Sequence, residues 1–183
     1  MKISKSILVF FLGLFLLTAS PDAHAGESKV NWLTMEEAQE LFSEEPRMIF
    51  VDVYTDWCGW CRRMESETFS HPIIAEILNT EFYPVKLNAE QEDPIDFRGV
   101  TYENENIGQR RATHSFAIAL LQGRMSYPSV AFFDEEMQLI TAIPGFRPPK
   151  TMEAVLAYFT SETYKTNPNL DDFMAGFEGR IQE

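Results

Sequence analysis

The chain has 183 residues and carries 28 Asp or Glu against 15 Lys or Arg, a formal charge of −13. So acidic a balance excludes nucleic acid as a partner, because phosphate binding needs clustered cations that displace counterions. A hydrophobic content of 45%, with 15 Phe, excludes disorder over most of the length, and a count of two cysteines excludes a disulfide-stapled scaffold.

Residues 1–25 have the three parts of a secretory signal peptide: Lys2 and Lys5, an apolar run from Ile7 to Leu17, and the small-residue cleavage signal Ala23-His24-Ala25. The run is well short of the ~20 residues that a membrane-spanning helix needs. The expected product is one domain over residues 26–183, exported to the periplasm or the extracellular space, with no membrane contact after cleavage.

Thr34 and Glu37 have the spacing of a capping box and predict a helix through Leu41 and Phe42 that Pro46 ends. Met48 to Tyr54, MIFVDVY, reads as a strand buried on both faces, with Asp52 as its one charged residue. From Cys58 the pattern turns helical, with Cys61, Met64 and Glu65 on one side. A second helical stretch begins near Ser70, with Pro72 in its first turn and a stripe of Ile73, Ile74, Ile77 and Leu78. Phe82 to Asn88 is a second strand, where Pro84 points to an edge or an irregular start.

A polar stretch from Ala89 to Ile107 follows, and a helix is expected from Gly108 to Leu121 that buries Phe116, Ala117, Leu120 and Leu121. Val130–Phe133 and Leu139–Ile143 read as a hairpin. Thr151 opens a helix through Phe159 that buries Val155 and Leu156. Leu170, Phe173, Met174, Phe177 and Ile181 form the apolar face of a last amphipathic helix, expected to dock on the body. This order predicts an α/β protein with a sheet covered by helices on both faces.

The two cysteines stand at Cys58-Gly59-Trp60-Cys61. A loop this short gains little entropy from cross-linking, so reactivity explains the pair better than stapling. Three His, one of them in the export segment, and two Cys do not make a four-ligand zinc site, and no metal or cofactor is expected. A cysteine at a helix start meets free N–H groups and the positive dipole end. Lowering a thiol pKa from ~8.5 to ~7 raises the thiolate fraction near neutral pH from a few per cent to roughly half. Cys58 is therefore the expected attacking group and Cys61 the resolving one.

The segment Val51-Asp52-Val53-Tyr54-Thr55-Asp56-Trp57-Cys58-Gly59-Trp60-Cys61 resembles the active-site strand and helix of the thioredoxin superfamily. Tyr127-Pro128-Ser129-Val130-Ala131-Phe132-Phe133 is similar to that family's cis-proline strand. Lys86 matches its lysine on the neighbouring strand, and Gly145 its glycine after the hairpin. Met64 to Asn88 looks closest to the exported thioredoxin-like proteins of the disulfide-interchange kind.

The resemblance implies a thioredoxin fold, a central mixed sheet flanked by helices. To this the chain adds an insertion at about 89–123, before the cis-proline strand, and a C-terminal helical extension at about 165–183. It implies catalytic roles for Cys58, Cys61, Asp52 and Lys86, with a buried Asp52 moving a proton near Cys61. Trp57, Gly59, Trp60, Tyr127 and Pro128 are then the substrate-contacting residues, with Trp57 packed beside the thiols and Trp60 exposed. His71 and His114 read as ordinary polar residues.

The activity implied is exchange with disulfide-containing or dithiol client proteins, recharged by a redox partner protein. Gly-Trp stands where thioredoxin has Gly-Pro, which leaves reduction, oxidation and isomerisation open. Two other readings stand beside this one: a peptide-binding or chaperone-like module using the Tyr127-Pro128 surface, and a dedicated reductant for a single client such as an apocytochrome.

Overall fold

The structure, a computed structural model, describes residues 29–182, and the expected export segment lies outside them. α1 (Met35–Glu44) starts at the capping box, where Thr34 accepts from the Glu37 N–H and Glu37 accepts from the Thr34 N–H. β1 (Ile49–Tyr54) is the buried strand expected from MIFVDVY. α2 (Gly59–Met64) follows, with Cys58 as its N-cap, and continues into a π-helical turn, Glu65–Phe69. α3 (Pro72–Glu81) has Pro72 at its first position, where the missing N–H would be unpaired anyway, and is capped by the His71 side chain.

β2 (Tyr83–Asn88) pairs parallel with β1, setting Asp52 opposite Lys86. β5 (Ser129–Phe133) lies antiparallel on the other side of β1, and β6 (Leu139–Pro144) completes the order β2-β1-β5-β6. Pro84 sits in the edge strand, as expected. Its carbonyl accepts from the Leu33 N–H at 2.8 Å, and the Lys86 N–H donates to Leu33 at 3.0 Å, so an N-terminal segment partly covers that edge.

Alternation along β1 sorts the core into two layers. Ile49, Val51 and Val53 face α1 and the insertion, and Phe50 faces Met64, Phe69, Ile74 and α5 (Pro149–Thr160). Phe132 stacks on Phe159 with ring centroids 3.8 Å apart.

Two segments differ from the sequence expectation. The insertion contains a hairpin, β3 (Ile95–Phe97) and β4 (Val100–Tyr102), turned by Arg98 and Gly99 at φ 52° and 77°. Ile95 and Phe97 bury against the sheet, which gives this stretch its own reason to fold. The following α4 (Ser115–Leu120) starts later than Gly108 because Arg111 is left-handed at φ 59° and His114 Nδ1 accepts the Phe116 N–H as N-cap. The His114 N–H also donates to Ala89 at 2.8 Å and closes the neck of the insertion.

At the C-terminus, α6 (Thr163–Thr166) and α7 (Leu170–Gly176) replace a single amphipathic helix. Ile181 reaches the core by an irregular tail, because the buried Glu153 carboxylate accepts the Arg180 and Ile181 N–H groups at 2.7 and 2.9 Å.

Glu153→Ala leaves those two amides without their acceptor. A loss of about 2 kcal/mol in urea unfolding is expected, with faster amide exchange at Arg180 and Ile181. Unchanged exchange there would show that the tail is held by packing alone.

Candidate active site

One end of the sheet gathers the chemistry. β1 and β2, parallel, both finish there, and the antiparallel β5 begins there, directly after Tyr127 and Pro128. Cys58 and Cys61 follow β1 at this end and form a disulfide. Both are buried, and Cys58 Sγ accepts the Cys61 N–H at 3.0 Å. The cap position thus supplies a hydrogen-bond donor and the helix dipole to the sulfur of Cys58.

Asp52 lies on the α2 face of β1 and is 2% exposed. Its Oδ2 pairs with Lys86 Nζ at 2.7 Å, while Oδ1 makes no hydrogen bond among the described residues. Burial outweighs the favourable Lys86 charge, so the Asp52 pKa is pushed up to about 6. Burial pulls the Lys86 ammonium down, but the Asp52 and Glu65 carboxylates win and hold its pKa above the ordinary lysine value.

Lys86 joins both acids, since Glu65, at the start of the π-helical turn, also pairs with it. Its Nζ lies 4.6 Å from the Trp32 ring centre, 5.1 Å from that of Tyr54 and 5.3 Å from that of Phe69. These rings keep it in place beside the carboxylates. A pocket of about 250 Å³ opens over the group, lined by Cys61, Lys86, Glu65, Tyr54, Thr55, Asp56 and Arg62. A carboxyl titrating at about 6 takes up and releases a proton just below neutral pH, and its partner Lys86 lines the pocket together with Cys61.

The residues expected to contact substrate divide into two walls. Trp57 is 47% exposed rather than packed beside the thiols. Its indole N–H donates to Glu90 at 2.9 Å, its ring meets Tyr127 edge-on at 6.0 Å, and Arg111 lies over it at 4.5 Å. Trp60, 55% exposed, leans on Phe146 at 5.4 Å, with Arg63 over both rings. Gly59 is exposed, and a Cβ there would meet nothing nearer than 3.9 Å, so packing does not demand glycine. The Tyr127–Pro128 peptide is cis, and Pro128 accepts the Gly145 N–H at 2.8 Å.

Glu65, Trp32, Glu90, Arg111 and Phe146 have no assigned role in the sequence reading. Helical periodicity puts Glu65 beside Cys61 and so carried a signal. The other four arrive through tertiary contacts that no local pattern encodes. His71 and His114 serve as helix caps.

A family model described as Thioredox_DsbH, protein of unknown function, DUF255, matches residues 20–176. The chain belongs to this family.

Spermatogenesis-associated protein 20 of Homo sapiens is 32% identical over 68 residues, 37% of this chain and 9% of that protein. The uncharacterized protein B0495.5 of Caenorhabditis elegans is 33% identical over 61 residues, 33% of this chain and 8% of that one. The chain thus spans less than a tenth of the length of these curated relatives.

Among solved structures, a DsbH oxidoreductase superposes with TM-score 0.50 at 16% identity, over 84% of this chain and 92% of that one. A thioredoxin from Thermus thermophilus gives 0.52 at 17%, over 72% and 87%. A thioredoxin-fold protein from Helicobacter pylori gives 0.52 at 14%, over 71% and 83%. At these identities the likeness shows the fold. The thioredoxin fold, the family and a cysteine pair that closes a disulfide together support thiol–disulfide chemistry in the general sense.

The raised Asp52 pKa fixes the sign of a pH effect. Between about pH 4 and 6 the folded protein keeps a proton that the unfolded chain has released, so the penalty of burying the charge grows through that window and is complete above it. A shift from 3.8 to about 6 corresponds to roughly 3 kcal/mol. Asp52→Asn is expected to stabilise the oxidised protein by up to that amount at pH 8 and by little at pH 4, as read by denaturant unfolding. Destabilisation at both pH values would make Asp52 structural.

Proposed function

We propose that the chain is an exported enzyme that exchanges protein disulfides, with Cys58 as attacking thiolate and Cys61 as resolving thiol. The observation that carries this is the placement of Cys58 Sγ at a helix cap, accepting the Cys61 N–H. Export rests on the three-part N-terminal pattern, and it would bring the pair to a compartment where client disulfides exist.

In the reduced enzyme, the Cys58 thiolate attacks a client disulfide. One new S–S bond forms, one client S–S bond breaks, and a client thiolate leaves. Asp52, as carboxylate, draws the proton from Cys61 through Lys86, which pairs with Asp52 and lines the pocket together with Cys61. Cys61 then attacks Cys58, closing the disulfide and releasing the second client sulfur, which takes up the proton. Two electrons pass from the dithiol to the client, and a dithiol redox protein restores them. Run from the oxidised form, the same steps oxidise a client dithiol. Isomerisation occurs when the mixed disulfide is resolved by another client thiol instead of Cys61.

Cys61→Ala should accumulate a mixed disulfide on Cys58 with a peptide disulfide, visible by mass spectrometry. Cys58→Ala should accumulate at least about tenfold less, since the thiolate fraction governs attack. Equal trapping, or preferential trapping on Cys61, would reverse the roles.

A further inference from the structure

The rim of the reacting sheet end carries Arg62, Arg110, Arg111 and Arg124, which hold no carboxylate, beside Arg63, which pairs with Glu67. Away from it, Arg47, Lys165 and Arg180 each sit in an ion pair, while Arg98 donates to the Met137 carbonyl at 3.2 Å. At the rim, Arg62 donates only to the backbone carbonyl of Asp56, at 2.8 Å, and Arg111 lies over the face of Trp57. Arg110 and Arg124 are exposed, and none of these four has an ion-pair partner among the described residues.

Of the acids nearby, Glu65 and Glu67 are ion-paired, while Glu90 and Asp56 accept from neutral donors and keep their charge. Glu90 accepts the Trp57 indole N–H, Asp56 accepts from the Asn88 amide at 3.3 Å, Glu65 holds Lys86 and Glu67 holds Arg63. Glu92 shares a shallow pocket with Arg110 and Arg111 without pairing to either.

Arg111 reaches Trp57 from a left-handed backbone at φ 59°, a conformation that disfavours a residue with a side chain. Glu90 and Arg111 both come from the insertion, so the insertion builds this wall. From Trp57 the surface continues through Tyr127 to Met125, whose sulfur is 3.6 Å from the Tyr127 hydroxyl. It ends in a pocket of about 440 Å³ that Arg124, Met125, Ser126, Ser129 and Pro144 help to line.

We propose that this surface selects disulfides carried on acidic polypeptide. Carboxylates flanking the reacting cysteine meet Arg110 and Arg111 on the insertion side and Arg124 on the pocket side. The net charge of −13 does not forbid this. With a Debye length of ~8 Å at physiological salt, a bound segment senses the nearest cations rather than the far acidic surface. A client of mixed or basic charge gains no such contacts.

The inference rests on the proposed exchange function, and its test separates the two. Two labelled peptides, alike except for Glu or Lys on both sides of a central Ser in place of Cys, are titrated with the oxidised protein by fluorescence polarisation. The Glu peptide is expected to bind at least about tenfold more tightly at low salt, with the advantage fading near 1 M salt. R110E/R111E/R124E should lose or invert it. If that variant does not fold, the neutral Arg111→Gln and Arg124→Gln variants should each reduce it.

Equal binding of the peptides, a preference for Lys, or a Glu preference untouched in folded variants would overturn the inference. Because the peptides carry no thiol, the result is independent of turnover. Failure of the wild-type protein to reduce a small neutral disulfide, with the Glu preference intact, would instead overturn the exchange function.

Discussion

A carboxylate buried inside a strand is the constraint on which the reacting end depends. Asp52 is held in the sheet by the pairing of β1 with both β2 and β5, and the parallel register sets Lys86 directly across from it. The 2.7 Å ion pair does not make the site comfortable, since Oδ1 stays unpaired and burial outweighs the lysine. A pair of this kind is poor support for stability. In the proposed exchange its use is chemical, because a group titrating at about 6 can take and return a proton near neutral pH.

The same end of the sheet explains why the insertion matters. Ala89 leaves β2 there, and its carbonyl accepts the His114 N–H, so everything between forms a closed excursion hinged at the site. The excursion folds on its own terms, with Ile95 and Phe97 packed against the sheet and α1. What it presents to the site is narrow: Glu90 on the edge of the Trp57 indole and Arg111 on its face. Trp57 thereby becomes a fixed wall between the insertion and Tyr127. The opposite wall, Trp60 and Phe146 under Arg63, comes from α2 and the segment after β6.

Much of the fold was legible because its signals are local. The capping box at Thr34, Pro72 at a helix start, the apolar run of β1 and the β5–β6 hairpin each follow from a few adjacent residues. The Asp52–Lys86 pair was only partly legible, because a lysine on the neighbouring strand reads equally well as a surface residue until the register sets the two opposite each other. The β3–β4 hairpin was not, because three-residue strands leave too short an alternation and Arg98 is an uncommon residue at positive φ. The delayed start of α4 depends on Arg111, whose left-handed backbone goes with a contact to Trp57 far away in sequence. Nothing adjacent in sequence marks Glu153 as buried, and only the returning tail shows what it accepts.

The central claim is that Asp52 is a poised acid rather than an ordinary ion-pair carboxylate. Its side-chain carboxyl carbon, labelled with ¹³C, can be titrated by NMR in the oxidised protein. A midpoint near 6 is expected, rising further in Lys86→Met as the neighbouring positive charge is lost. A midpoint at or below 3.8, unmoved by Lys86→Met, would contradict the account.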